Sequence, residues 1–204
     1  YFHTMPSTFI AHLKERISEK NIFKHPFYQH WNAGTLPKTV LAKYAEQYYH
    51  LEKNFPRFLA MTRVNADAVS GPVITANLYD EEHGTTHREM WLRFGEGVGA
   101  TREAMEASTM LPETAAAVKT FENNATASMD EGVSALAAYE SQIPEVAASK
   151  TAGLKKHYNI SDTRTIQFFN VHGIVDVEHS QAWWDIIDRR VTEDPSLKAK
   201  VEDA

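Results

Sequence analysis

Apolar residues recur every three or four positions along most of the chain, and this spacing predicts α-helices. The first such segment covers residues 8–20, with Ser7 placed to cap it. A loop is predicted over 24–28, and a long helix follows from Pro37, in which Pro56 is expected to introduce a kink or to end a turn. No stretch alternates between apolar and polar residues as a half-buried strand would.

The second half of the chain continues this helical pattern. Helices are predicted over 71–94, 112–144, 144–158 and 163–191, with a break at 95–99 and an acidic tail at the end. Proline opens several of these segments, and the first turn of a helix tolerates proline because its N–H has no partner there. The pattern therefore predicts an all-α protein, with about seven helices packed around one core.

Length and composition place these helices in one domain. The chain has 204 residues, of which 43% are hydrophobic, and a core of this size needs no disulfide or metal merely to fold. We assign residues 5–204 to a single domain and interpret Tyr1-Phe2-His3-Thr4 as a remnant of expression. No apolar run approaches the roughly 20 residues of a membrane helix, and no signal segment opens the chain. We therefore expect a cytoplasmic protein without a membrane partner.

Charge and cysteine content exclude several classes of function. The chain has 21 basic and 27 acidic residues, a formal net charge of −6. Because no basic stripe is present, a nucleic acid is not an expected partner. There is no cysteine, which excludes a disulfide scaffold, a thiolate-ligated metal site and a cysteine nucleophile.

The clearest candidate for chemistry is the segment from His172 to His179. On an ideal helix Asp176 lies about 40° from His172, and His179 lies about 20° to the other side. Two imidazoles and a carboxylate would therefore share one helical face. The spacing Asp176-x-x-His179 is also the carboxylate–histidine spacing of helical di-iron proteins. An ordinary amphipathic helix whose polar face holds two histidines is the alternative.

Two further segments carry groups of the same kind. Residues 77–87 contain three carboxylates and two histidines, and apolar residues on both sides require part of this segment to turn inward. Glu140 ends an alanine-rich apolar segment, where a metal would be one way to offset the burial of a carboxylate. Together the three segments suit two divalent ions. Because the set contains no sulfur, it favours iron or manganese over structural zinc.

These segments resemble a known family, the haem-oxygenase-like di-metal oxidases, and in particular the proteins of the type of Chlamydia protein associating with death domains (CADD). The resemblance covers residues 25–184. It implies the seven-helix haem-oxygenase-like fold that pyrroloquinoline-quinone synthase and TenA share. It also implies two divalent metal ions, Fe/Fe or Mn/Fe, with O2 and an external reductant as co-substrates. Three motifs carry it. The first is Asn77-Leu78-x-Asp80-Glu81-Glu82-x-Gly84 followed by His87-x3-Trp91, and the others are Tyr139-Glu140-Ser141-Gln142-Ile143-Pro144 and His172-x3-Asp176-x2-His179.

The resemblance also implies a set of metal ligands. They are Glu81, His87, Glu140, His172, Asp176 and His179. One departure concerns the first pair, which is seven residues apart in the relatives. Here Glu81 and His87 are six residues apart, which is about 240° around an ideal helix. A π-bulge or a break at Gly84 would restore the alignment; otherwise Asp80 or His83 would replace Glu81.

Proteins of this type make para-aminobenzoate for folate synthesis from a tyrosine of their own, with a lysine as amine donor. The resemblance therefore implies a self-sacrificing 4-aminobenzoate synthase, and the matching positions are Tyr28 and Lys150. Without the resemblance, these would be an ordinary aromatic residue and a solvated helix lysine. Two other functions stay open: a di-metal oxidase of an external small amine, amino acid or fatty acid, and a non-catalytic interaction protein. The sequence also leaves open whether the protein forms a homodimer.

Overall fold

Residues 7–204 are described by a computed structural model, and their regular structure is entirely helical. The α-helices are α1 (Thr8–Glu19), α2 (Pro26–Ala33), α3 (Lys38–Glu52), α4 (Phe55–Val64), α5 (Ser70–Glu82), α6 (His87–Gly97), α7 (Arg102–Ala107), α8 (Pro112–Ala127), α9 (Met129–Glu140), α10 (Ile143–Tyr158), α11 (Thr163–Glu193) and α12 (Lys198–Asp203). The all-α prediction is confirmed, although nine of these helices, rather than seven, have ten or more residues. Residues 1–4, which we interpret as a remnant of expression, lie outside the described residues.

Short breaks divide two segments that the apolar pattern predicts as continuous. α3 ends before Lys53, and Pro56 lies in the first turn of α4 instead of kinking a longer helix. A proline in that turn sacrifices no helical hydrogen bond. Ser128 divides the predicted helix 112–144, because its side chain accepts a hydrogen bond from the backbone N–H of Glu131 and starts α9.

The prediction of one continuous helix over 71–94 was wrong for the same reason, because a break at Gly84 separates α5 from α6. This break positions the candidate site. Gly84 adopts a φ of 67°, a left-handed conformation that glycine reaches without steric cost. Thr86 then caps α6 by accepting a hydrogen bond from the N–H of Glu89. α6 continues into the predicted break at 95–99 before it ends.

Two segments predicted as irregular are also helical. The predicted loop over 24–28 runs into α2, which begins at Pro26 and ends at the left-handed Gly34. Tyr28 is therefore a buried residue of a helix. The acidic tail forms a short 3₁₀ turn and α12, and Val201 of α12 belongs to the apolar core.

The buried apolar side chains form two clusters, and α11 contributes to both. One cluster includes Trp91, Phe168 and Phe169, and the other includes Phe58 and Trp183. The predicted ligand residues of α11 come between these two apolar stretches along the helix. The polar groups therefore lie inside the protein, between the clusters. No helix within residues 7–204 combines the length and the apolar character of a membrane span.

Candidate metal centre

The six predicted ligand residues are all buried, and the fold gathers them into two groups of three. In triad A, the potential ligand atoms lie within 4.8 Å of one another; its members are Glu81, His87 and His172. The same distance limit holds in triad B, which consists of Glu140, Asp176 and His179. His172 and Asp176 are one turn apart on α11, about 6 Å along the axis. The two triads therefore adjoin.

The turn at Gly84 explains how triad A forms. Glu81 lies in the last turn of α5, and His87 is the first residue of α6. Because the chain turns between them, their six-residue spacing does not have to fit one helical face. Oε1 of Glu81 lies 2.9 Å from Nδ1 of His87. A break at Gly84, one of the two ways expected to restore the alignment, is what the structure has.

The two alternative ligands of this segment lie outside triad A. The side chain of Asp80 is 52% exposed, and its Oδ2 lies 3.3 Å from Nε2 of His179. His83 is exposed at the end of α5, where its ring stacks on Tyr79. Glu81 is buried within triad A and is therefore better placed than Asp80 or His83 to act as a metal ligand there.

The triads contain buried polar atoms that the protein itself leaves unsatisfied. Within residues 7–204, Nδ1 of His87, Oε1 of Glu140 and Oδ2 of Asp176 have no hydrogen-bond partner. His87 and Glu81 approach closely, but not with hydrogen-bond geometry. A buried polar group without a partner costs about 1–3 kcal/mol, and more if it is charged. Carboxylate oxygens and imidazole nitrogens are ligands that iron and manganese accept, so these residues fit two such ions.

The titration behaviour of the triads reflects crowded carboxylates. Burial, and after it the nearby Asp176, raises the pKa of Glu81 to about 8. Burial and Asp176 also raise the pKa of Glu140 well above its usual range. Burial lowers the pKa of His87 to about 4, so this imidazole is neutral at pH 7, as a metal ligand must be. Without a cation nearby, protons neutralise part of the negative charge.

Neighbouring residues orient two of the predicted ligands. The indole N–H of Trp183 donates to Oε2 of Glu140 at 2.6 Å. Nδ1 of His172 lies 2.7 Å from the carbonyl oxygen of Phe168, whose ring stacks on the imidazole. This contact leaves Nε2 of His172 as the nitrogen available to a metal, and such contacts fix the orientation of metal-binding side chains. The sequence analysis missed both residues; the four-residue spacing between Phe168 and His172 is a signal that was available.

Lys150 and Tyr28 lie together in an aromatic cage. Nζ of Lys150 is 3.9–4.6 Å from the centroids of four rings, those of Phe27, Tyr28, Trp31 and Tyr44. Burial lowers the pKa of Lys150 well below its usual value. Each ring face favours the ammonium by about 2 kcal/mol when it is desolvated, and burying an unpaired ion costs several kcal/mol. Burial therefore shifts the equilibrium of Lys150 toward the neutral amine.

Two more tyrosines lead from this cage to triad B. The ring centroids of Tyr44 and Tyr48 are 5.6 Å apart. The hydroxyl group of Tyr48 is hydrogen-bonded to that of Tyr139, which immediately precedes Glu140 in α9. These three tyrosines and Tyr28 line one cavity of about 50 Å³. A continuous series of aromatic side chains therefore connects Tyr28 to the candidate metal centre.

Comparison with known sequences agrees with this geometry. Residues 42–204 match the haem-oxygenase-like family described as iron-containing redox enzymes. The chain belongs to this family. Its similarity extends to the 4-aminobenzoate synthase of Nitrosomonas europaea, with 34% identity over 96% of this chain and 84% of that protein. The 4-aminobenzoate synthase of Chlamydia muridarum is 35% identical over 85% of this chain and 75% of that protein. The predicted family resemblance is thus confirmed.

Comparison with solved structures confirms the fold. A TenA homologue from Pseudomonas syringae superposes with a TM-score of 0.84 at 15% identity, covering 97% of this chain and 86% of that one. A CADD-like protein of unknown function from Nostoc punctiforme superposes with a TM-score of 0.73 at 15% identity, covering 96% and 90% of the two chains. As a member of this family the protein is an oxidoreductase, and its buried glutamate and histidine side chains fit a di-metal site.

Proposed function

We propose that the protein is a di-metal oxidase that makes 4-aminobenzoate from its own Tyr28, with Lys150 as the nitrogen donor. The observation that carries this proposal is the placement of Nζ of Lys150 4.6 Å from the ring centroid of Tyr28, in a sealed aromatic cage. The relatives named 4-aminobenzoate synthase support the product. The aromatic ring and the carboxyl carbon of the product would both come from Tyr28. Because Tyr28 would be consumed, each chain would act once.

Triads A and B would each hold one divalent ion, either Fe/Fe or Mn/Fe. The bound ions would supply the activation of O2, which is the oxidant, while an external reductant provides the remaining electrons. Three of the ligands are carboxylates, whose charge offsets most of the charge on two divalent ions. The contacts of Trp183 and Phe168 hold Glu140 and His172 in position for this role.

The side chains of the cage have roles that follow from their protonation. A neutral Lys150 amine has a free lone pair with which to form a bond to Cζ of Tyr28, whereas an ammonium has none. This bond would replace the Cζ–O bond of Tyr28. Release of the product would also break the Cα–Cβ bond of Tyr28, whose Cβ is oxidised to the carboxyl carbon, and the Cε–Nζ bond of Lys150, with O2 as the oxidant and the external reductant supplying the remaining electrons. Burial raises the pKa of Tyr28 to about 12, so its phenol keeps its proton at pH 7. The surrounding aromatic rings also exclude water, which would otherwise compete with the amine.

The cavity volume favours an internal substrate over an external one. Pockets for small molecules commonly have volumes of about 300–1,000 Å³, whereas the cavity that Tyr28 lines has about 50 Å³. A small amine, amino acid or fatty acid would have to displace side chains to enter. A purely non-catalytic role would leave unexplained why two triads of ligand-type side chains are buried together.

Intact mass measurement tests the proposal directly. Metal-free protein is loaded with Fe(II), or with Fe(II) and Mn(II), and exposed to O2 and a reductant without any added substrate. We expect at most one 4-aminobenzoate per chain and a mass change that maps to Tyr28 and Lys150. Protein labelled with [15N]lysine should yield labelled product.

Two variants complete this experiment. Tyr28→Phe should form no product, whereas Tyr49→Phe, which alters a buried tyrosine of α3 outside the cage, should behave as wild type. Product from the Tyr28→Phe protein would refute self-sacrifice. An unchanged mass with continued O2 consumption would instead indicate an external substrate.

A further inference from the structure

Glu52, the last residue of α3, is a buried carboxylate that the sequence analysis did not single out. Its residue is only 4% exposed. Among residues 7–204, no hydrogen bond and no basic side chain offsets this burial. The C-terminal end of a helix is also electrostatically unfavourable for a negative charge. A cation from outside the chain would resolve this conflict.

Ring contacts along α3 show which part of the protein Glu52 faces. The ring of Tyr44 lies against Phe94, and that of Tyr48 lies against Trp91, so α3 and α6 run antiparallel. Residues four apart share one face of a helix. The next turn of α3 after Tyr48 carries Glu52, and the turn of α6 that precedes Trp91 carries His87 of triad A. Glu52 therefore lies level with the candidate metal centre.

The electrostatic surroundings of Glu52 agree with this register. Burial raises the pKa of Glu52 well above its usual range, and Glu81 and Asp176 raise it further. Glu81 belongs to triad A and Asp176 to triad B. The negative charges of both triads therefore reach Glu52, in agreement with the register of α3 and α6.

We propose that Glu52 is a seventh protein ligand of the metal centre. This inference rests on the proposed function, because it requires that the triads bind metal. The three carboxylates of the triads leave one positive charge on two divalent ions, and Glu52 neutralises it. Four carboxylates for two metal ions is also the number found in helical di-iron proteins.

Metal titration of an isosteric variant tests the role of Glu52 without relying on activity. Glu52→Gln keeps the shape of the side chain and removes its charge. Glu46→Gln is the matched control, because Glu46 lies on the same helix but pairs with Lys43 near the surface. Metal-free proteins are titrated anaerobically with Mn(II), and the stoichiometry and affinity are measured by calorimetry. Electron paramagnetic resonance then reports the magnetic coupling of the two ions.

We expect wild type and Glu46→Gln to bind two Mn(II) per chain with the same affinities and a coupled spectrum. Glu52→Gln should lose at least tenfold in affinity at one or both sites, and the coupling should change. Its metal-free form should fold as well as wild type, since an unpaired buried acid has been removed. If it does not fold, Glu52→Asp replaces it and should also bind at least one ion more weakly.

Unchanged affinities and coupling in these variants, with two ions bound by wild type, would overturn the assignment of Glu52 and leave the proposed function intact. Fewer than two ions bound by wild type would overturn the metal centre itself. The experiment therefore separates the two failures.

Discussion

Replacing Lys150 by methionine should stabilise the protein by an amount that depends on pH. Lys150 has no exposed surface, and within residues 7–204 its Nζ has no hydrogen-bond partner. Methionine has a similar length and no charge, and its thioether makes favourable contacts with aromatic rings. The variant therefore keeps the cage filled and removes the cost of burying an amine.

The sign and size of the effect follow from proton binding. In the folded protein, burial lowers the pKa of Lys150 and favours the neutral amine, whereas in the unfolded chain its pKa is about 10.4. The unfolded state thus binds one proton more. The contribution of Lys150 to the free energy of unfolding rises by about 1.4 kcal/mol per pH unit up to about pH 10.4, as long as the folded amine stays neutral. The advantage of Lys150→Met should therefore fall by about 3 kcal/mol between pH 8 and pH 10.

Urea denaturation of the metal-free proteins from pH 7 to pH 10 measures this difference. Lys155→Met is the control, because Lys155 is exposed on the same helix. It should change the free energy of unfolding by less than about 0.5 kcal/mol at every pH. A difference between Lys150→Met and wild type that stays constant with pH would mean that Lys150 is charged when folded. In that case the argument for a neutral amine donor fails.

Three other predictions concern the metal centre and the packing of the helices. Trp183→Phe removes the donor to Glu140 and should weaken Mn(II) affinity ten- to hundredfold; an unchanged titration would show that this contact does not orient the ligand. Gly153→Ala would place a Cβ 2.3 Å from Nε1 of Trp31. It should lower the free energy of unfolding, measured by urea denaturation, by about 1–3 kcal/mol. In Gly173→Ala the added Cβ meets no atom closer than 3.7 Å, so this variant should raise the free energy of unfolding by up to about 1 kcal/mol. Equal effects of the two glycine substitutions would contradict the packing described for α10 and α11. Removing metal with a chelator should lower the Tm, since a ligand at a hundredfold excess over its Kd adds about 2.7 kcal/mol to the free energy of unfolding. An unchanged Tm would count against a metal centre.

The sequence by itself determined the features that depend on local geometry. The apolar spacing predicted helices, because residues three and four apart share a helical face whatever the helix packs against. For the same reason, the spacing of His172, Asp176 and His179 predicted that these side chains point the same way. Carboxylates and histidines beside apolar residues also indicated the segment 77–87 and Glu140, and the family motifs selected Glu81 and His87 within that segment. The ends of the helices were less predictable, since single residues such as Ser128 and Gly84 decide where a new helix starts.

Only the tertiary structure decided which groups meet and how far they are removed from water. Lys150 has the neighbours of a solvated lysine in the sequence, and it is buried because α2 packs against α10 and surrounds its Nζ with aromatic rings. Glu52 follows Tyr48 by one turn, and its surroundings depend on helices far along the chain. The meeting of Tyr48 and Tyr139, 91 residues apart, is of the same kind. Burial and proximity set the charge of a carboxyl or amine group, and both arise from contacts between distant segments, which no local pattern contains.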